Sequence, residues 1–121
     1  MNHDDAWQLV TDHVNDMGLR RHMLAVEATM RWYAPKLDGD VEQWGVVGLI
    51  HDFDYERWPE PPEHTQQGAK ILRERGVDEE TIGCILSHAE WNLEKYPRDT
   101  PMRKTLFAVD ELAGFIVAVA L

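Results

Sequence analysis

Seven consecutive residues without charge, Trp44-Gly45-Val46-Val47-Gly48-Leu49-Ile50, run directly into His51-Asp52. A stretch this apolar belongs in a core. Two titratable groups at its end need partners there, because burying an unpaired carboxylate or imidazolium costs several kcal/mol. A bound cation is one such partner. A salt bridge or a hydrogen-bonded pair is the other.

The pattern around this stretch is helical. Trp7, Val10, Val14 and Met17 recur at helical spacing. Asp4 or Asp5 can cap a first helix over about residues 4–16, and Gly18 can stop it. A second helix is predicted over about Leu19 to Tyr33, where Pro35 bars extension. Its apolar face of Ala25, Val26, Thr29, Met30 and Tyr33 includes His22. Asp40 can cap a third helix, Val41 to about Asp52, which is apolar nearly all round and therefore expected at the centre. Pro59, Pro61 and Pro62 forbid regular structure in the loop from Phe53 to Glu63. Tyr55 and Trp58 in that loop are either a wall over a pocket or aromatics packed at the surface.

A fourth helix is predicted from about His64 to Arg75, with Gly76 as its stop. A fifth runs from about Asp78 to Trp91, its acidic Asp78-Glu79-Glu80 start suiting a helix N-terminus. A sixth starts near Pro101, with Leu106, Val109, Ala113 and Val117 as its inner stripe and Asp110 within that stripe. No strand pattern, repeat or linker interrupts the series. The expectation is an all-α bundle of about six helices, one domain over residues 1–121. The chain stops inside the apolar run Ile116 to Leu121 with no cap, so further C-terminal helix is expected after Leu121.

Charge narrows the function classes. Twelve Lys and Arg against 22 Asp and Glu give a net charge of −10. That balance opposes non-specific binding to nucleic acid polymers or anionic membranes. It is compatible with a small anionic substrate, because a bound metal reverses the local field. No apolar run reaches the ~18–20 residues of a membrane helix, and the polar, acidic N-terminus is no signal peptide. Cys84 is the only cysteine. It reads as a small core residue, and a reducing, cytoplasmic setting is the simplest inference. Nothing in the sequence supports a particular oligomeric state.

A single histidine on an apolar face is ordinarily a packing residue, and His13 reads that way. His22, His51, His64 and His88 are different as a set. They occupy inner-face or helix-edge positions of four separate helices, and Asp52 and Asp110 join them. Imidazole and carboxylate converging from facing helices are how bundles build metal sites, and this donor set suits Zn, Mn, Fe, Co or Ni.

His22, the His51-Asp52 pair and the distant Asp110 resemble the HD superfamily of metal-dependent phosphohydrolases. Its pattern is a lone His, a His-Asp pair and a later Asp. The resemblance extends from about His22 to Leu121. Glu63-His64-Thr65-Gln66-Gln67-Gly68 is similar to the segment after the His-Asp pair in many members. Leu86-Ser87-His88-Ala89-Glu90-Trp91 is similar to the His-His-Glu segment of the HD-GYP branch. The resemblance implies two divalent transition metals. His22, His51, Asp52 and Asp110 would hold the first. Asp52, His64 and His88 would hold the second, with Asp52 bridging.

The implied activity is hydrolysis of a small phosphorylated molecule, a phosphomonoester or nucleotide-type compound, by a metal-bound hydroxide. Asp52 or Asp54 is the candidate to hold the proton of the attacking water. Arg21 and Arg57 are candidate phosphate clamps or, alternatively, solvated surface charges. Departures from the relatives weigh against cyclic dinucleotides. His88-Ala89 replaces a histidine pair, Lys95-Tyr96-Pro97 lacks the glycine of Gly-Tyr-Pro, and Phe53-Asp54-Tyr55 stands where many relatives have Ile-Gly-Lys. Two rival readings share the ligand set: a mixed-valent di-iron oxygenase of the HD fold, and a non-catalytic nucleotide-sensing HD module.

Overall fold

The computed structural model describes the backbone of residues 1–120 and the side chains of residues 1–114. All of the regular structure in it is helical. The helices are α1 (His3–His13), α2 (Met17–Tyr33), α3 (Val41–Ile50), α4 (Glu63–Glu74), α5 (Glu79–Leu86) and α6 (Pro101–Ala120). Single 3-10 turns follow α2 and α5, at Ala34–Leu37 and Glu90–Asn92. None of the described helices is long and apolar enough to cross a membrane.

Side-chain caps set most helix starts. Asn2 caps α1 by accepting from Asp5 N–H, and Asp5 reciprocates toward the Asn2 N–H. Asp16 caps α2 through Leu19 N–H, Asp40 caps α3 through Gln43 N–H, and Asp78 caps α5 through Thr81 N–H. Gly18, expected to end the first helix, lies instead in the first turn of α2. The first helix ends at His13 because Val14 is extended and buried, and Asp16 at once opens the next helix.

The third helix takes the central position its composition demands. Trp44 through Ile50 are all buried, and α1, α2, α5 and α6 all pack on it. Gly48 lets α2 come close. A Cβ there would sit 3.0 Å from the Glu27 backbone. Leu9, Met23, Met30, Leu49, Phe53, Leu72, Ile82, Leu86 and Leu106 fill one contiguous core with α3 at its middle.

Two further helix ends fall short of expectation, and both shape the site. The third helix stops at Ile50, so His51 and Asp52 lie in the turn after it. The fifth stops at Leu86 and not near Trp91, which places His88 in a turn as well. The cause is competition for carbonyls. Ser87 Oγ donates to Cys84 O at 2.6 Å, His88 Nδ1 donates to Ile85 O, and Asn92 Nδ2 donates to Leu86 O at 2.9 Å. Of the inner stripe expected on α6, Leu106 and Val109 are buried and Ala113 packs on the core. Val117, and any helix after Leu121, lie outside the described side chains.

Candidate metal centre

His51 and His88 are placed by the same local device. Each lies within two residues of a helix end, and each turns its ring back so that Nδ1–H donates to the carbonyl three residues earlier. The acceptors are Gly48 O at 2.7 Å for His51 and Ile85 O for His88. A carbonyl can only accept, so Nδ1 carries the proton and Nε2 faces outward from the helix end. Phe53 is fully buried after Asp52, which pins the turn and leaves Asp52 at the pocket side.

His64 reaches the same tautomer by another route. Its Nδ1 donates to Asp54 Oδ1 at 2.9 Å. Asp54 is buried, and its Oδ2 accepts from the N–H groups of Thr65 at 2.7 Å and Gly68 at 2.9 Å. The start of α4 is non-helical at His64 (φ −56°, ψ 131°) and Thr65 (φ 78°, ψ −40°). A β-branched residue at positive φ is strained by about 1–3 kcal/mol and persists only where its surroundings over-determine it. Here the Asp54 carboxylate does so. His22 arrives from α2 and Asp110 from α6.

The six side chains form two groups that share one residue. In each group the potential ligand atoms all lie within 4.8 Å of one another: His22, His51, Asp52 and Asp110 in the first, Asp52, His64 and His88 in the second. Asp110 Oδ1 is 2.8 Å from His22 Nε2 and 3.1 Å from His51 Nε2. Asp52 divides its carboxylate. Oδ2 lies 3.5 Å from His51 Nε2, and Oδ1 lies 3.1 Å from His88 Nε2 and 3.3 Å from His64 Nε2.

This geometry requires positive charge between the groups. With Nδ1 already protonated, a neutral ring would turn an Nε2 lone pair toward a carboxylate oxygen, acceptor against acceptor. A proton on Nε2 relieves that contact, and so does a cation. Burial opposes the imidazolium of His51, but the Asp52 and Asp110 carboxylates outweigh it and push its pKa up to about 9. His64 is likewise pushed up to about 9 by Asp52 and Asp54 against the effect of its burial. Burial likewise opposes the charge on Asp52, yet His51, His64 and His88 hold its pKa well below the usual carboxylate range. His22 and His51 lower Asp110 in the same way.

The donor set fits a divalent transition metal. Neutral imidazole and carboxylate suit such ions, and imidazoles oriented by a carbonyl or carboxylate on the far nitrogen are the usual supporting arrangement around metals. No buried side-chain nitrogen or oxygen is left unpartnered among the described residues, so the polar support is complete.

The HD domain family profile matches residues 19–114, a span that contains all six of these side chains. The chain belongs to the HD domain family. Members of this superfamily are mostly metal-dependent hydrolases, and HD domains bind divalent metals. No curated protein and no solved structure gives a significant match to this HD domain.

Of the three residues expected to serve the water and the phosphate, Asp54 and Arg57 are engaged by other partners. Asp54 lies on the Nδ1 side of His64 with both oxygens occupied, so it orients that ring. Arg57 Nη2 donates to Asp12 O at 2.8 Å, tying the loop to α1. Arg21 is exposed and makes no hydrogen bond among the described residues. Of the two loop aromatics, Tyr55 stands edge-on to His64 at 5.2 Å, and Trp91 also meets that ring, at 5.8 Å. Trp91, Thr65 and Asn92 carried no sequence signal for the site, since their contacts depend on how two turns meet.

Proposed function

We propose that this HD domain is a metal-dependent phosphohydrolase that cleaves a phosphomonoester of a small molecule. The observation that carries the reading is the divided carboxylate of Asp52, with one oxygen toward each histidine group. Two-metal sites for phosphoryl transfer are built around such a shared ligand. His22, His51, Asp52 and Asp110 would hold one ion, and Asp52, His64 and His88 the other. Divalent ions bound there would supply Lewis acidity, lowering the pKa of water and neutralising phosphoryl charge.

The chain's own residues supply orientation. The Gly48 and Ile85 carbonyls and the Asp54 carboxylate fix three rings with Nε2 inward. Tyr55 and Trp91, each more than two-fifths exposed, both pack on the His64 ring and would be the aromatics nearest a substrate at the second group. In the hydrolysis a water oxygen bonds to phosphorus, the P–O ester bond breaks, and of the water's two protons one ends on the leaving alcohol and the other on the phosphate.

The test combines elemental analysis of the purified chain with a panel of nucleoside monophosphates and sugar phosphates, each assayed with Mn, Co, Ni, Zn and Fe(II). Phosphate release that disappears on chelation and in Asp52→Asn supports the reading. Lewis-acid stabilisation is worth several kcal/mol and each 1.36 kcal/mol is tenfold, so Asp52→Asn should lower kcat by about 10³-fold. Bound metal with no phosphate release from any ester would sink it. O₂ uptake after anaerobic loading with iron would put the oxygenase reading in its place.

A further inference from the structure

We infer that Asn92 is a positioning residue for the second group, where its amide ties the His64 segment to the turn that carries His88. Asn92 is buried in the 3-10 turn after His88. Its Nδ2 donates at 2.9 Å to Thr65 Oγ1, next to His64, and at 2.9 Å to Leu86 O, two residues before His88. Its Oδ1 accepts from Gln66 Nε2 at 2.9 Å. One amide therefore bonds both segments, and it is fully satisfied in doing so. Trp91 Nε1 adds a donor to the same hydroxyl at 3.3 Å.

The contact matters because of the conformation it meets. Thr65 sits at φ 78°, where a β-branched residue is strained, and its backbone direction sets where His64 points. Asp54 grips the Thr65 N–H from one side and Asn92 holds its hydroxyl from the other. The first group meets this segment only through the shared Asp52. His22, His51 and Asp110 come from α2, from the end of α3 and from α6, and none of them hydrogen-bonds to Asn92. The inference rests on the reading of the second group as a metal site.

The experiment uses the chelator-stripped 121-residue chain, titrated with Mn²⁺ or Zn²⁺ by calorimetry and assayed for bound metal after desalting. The wild type should take up two ions. Asn92→Ala should bind the first ion within about threefold of wild type and the second about 10–100-fold more weakly, the usual loss when a ligand's supporting partner is removed. Thr65→Val keeps the branched shape but lacks the hydroxyl, and should show the same split. Thr65→Ser should retain both ions, and the double variant Asn92→Ala/Thr65→Val should be no weaker than the worse single one. Circular dichroism of the metal-free proteins checks folding, and Thr65→Val carries the test if Asn92→Ala does not fold. Equal weakening of both ions, or of neither, overturns the inference alone. A wild type that takes up fewer than two ions overturns the two-metal reading with it.

Discussion

Asp54 Oδ1 accepts the Nδ1–H of His64 at 2.9 Å, ten residues along the chain, while its other oxygen receives two backbone N–H groups at the start of α4. One buried carboxylate thus fixes a ring, a strained residue and a helix start together. Asp54→Asn can meet only part of this. An amide has one accepting oxygen, so either the imidazole or the backbone donors would face its NH₂. Leaving a buried donor unsatisfied costs about 1–3 kcal/mol. The variant should unfold at lower denaturant by that margin and bind the second metal about 10–100-fold more weakly. Urea titration and metal titration of the same preparation check both.

The raised histidines set a pH window for the metal-free protein. His51 and His64 are pushed from 6.5 up to about 9, so their contribution to stability is complete below pH 6.5 and is lost as pH rises through 9. Asp52 and Asp110 are depressed from 3.8, so theirs is present above about pH 4 and is lost only as pH falls well below it. The chelated protein should therefore be most stable between about pH 4 and 6.5 and weaken toward pH 9. Metal competes with the Nε2 protons, so binding should tighten over the same alkaline range and release protons. Melting curves from pH 5 to 10, with and without chelator, should diverge as pH rises. Parallel curves would mean that metal and protons do not share these nitrogens.

How much of this was legible in the sequence depends on what each feature requires. The helices follow from apolar period, and α3 reads as central because it is apolar all round. The six histidine and aspartate side chains could be picked out only as a set, because four histidines and two acids on inner faces of separate helices also match the HD pattern. The helix ends at Ile50 and Leu86 could not. They are decided by His51, Ser87, His88 and Asn92 taking carbonyls that a longer helix would have used. Asp54 could not be placed either, because its direction is set by the buried Phe53 before it and by α4 folding back onto it. Arg57 was legible as a charge near the pocket loop, but its partner is a backbone carbonyl of α1, which no side-chain pattern announces.

Arg98 provides the mechanical link between His88 and α6. Its Nε donates to Ser87 O at 2.9 Å, its Nη2 donates to His88 O at 3.1 Å, and the guanidinium lies 3.6 Å over the Phe107 ring, one turn before Asp110. Lysine keeps the charge but cannot form the planar fork and stack together. Arg98→Lys should lower stability by about 1–2 kcal/mol through one lost hydrogen bond and a weaker cation–π contact. Thermal unfolding of the metal-free variant measures this, and Arg98→Gln separates charge from geometry.

Gly68 is the position where an ordinary rule of helix stability should reverse. Replacing glycine by alanine inside a helix normally stabilises by about 0.5–1 kcal/mol. At Gly68 the added Cβ would lie 2.7 Å from Asp54 Oδ2 and 2.9 Å from its Cγ. Asp54 has nowhere to retreat, because Phe53 is buried on one side of it and His64 is bonded on the other. Gly68→Ala should instead destabilise by about 1–3 kcal/mol, the usual range for overpacking. It should also weaken the second metal, since the displaced carboxylate takes His64 with it. Gly114 on α6 is the control. A Cβ there meets nothing within 4 Å among the described residues, so Gly114→Ala should follow the ordinary rule and stabilise. Opposite signs for the two alanines in denaturant titrations would locate the cost in the contact with Asp54; a stabilising Gly68→Ala would show that Asp54 can move without harm.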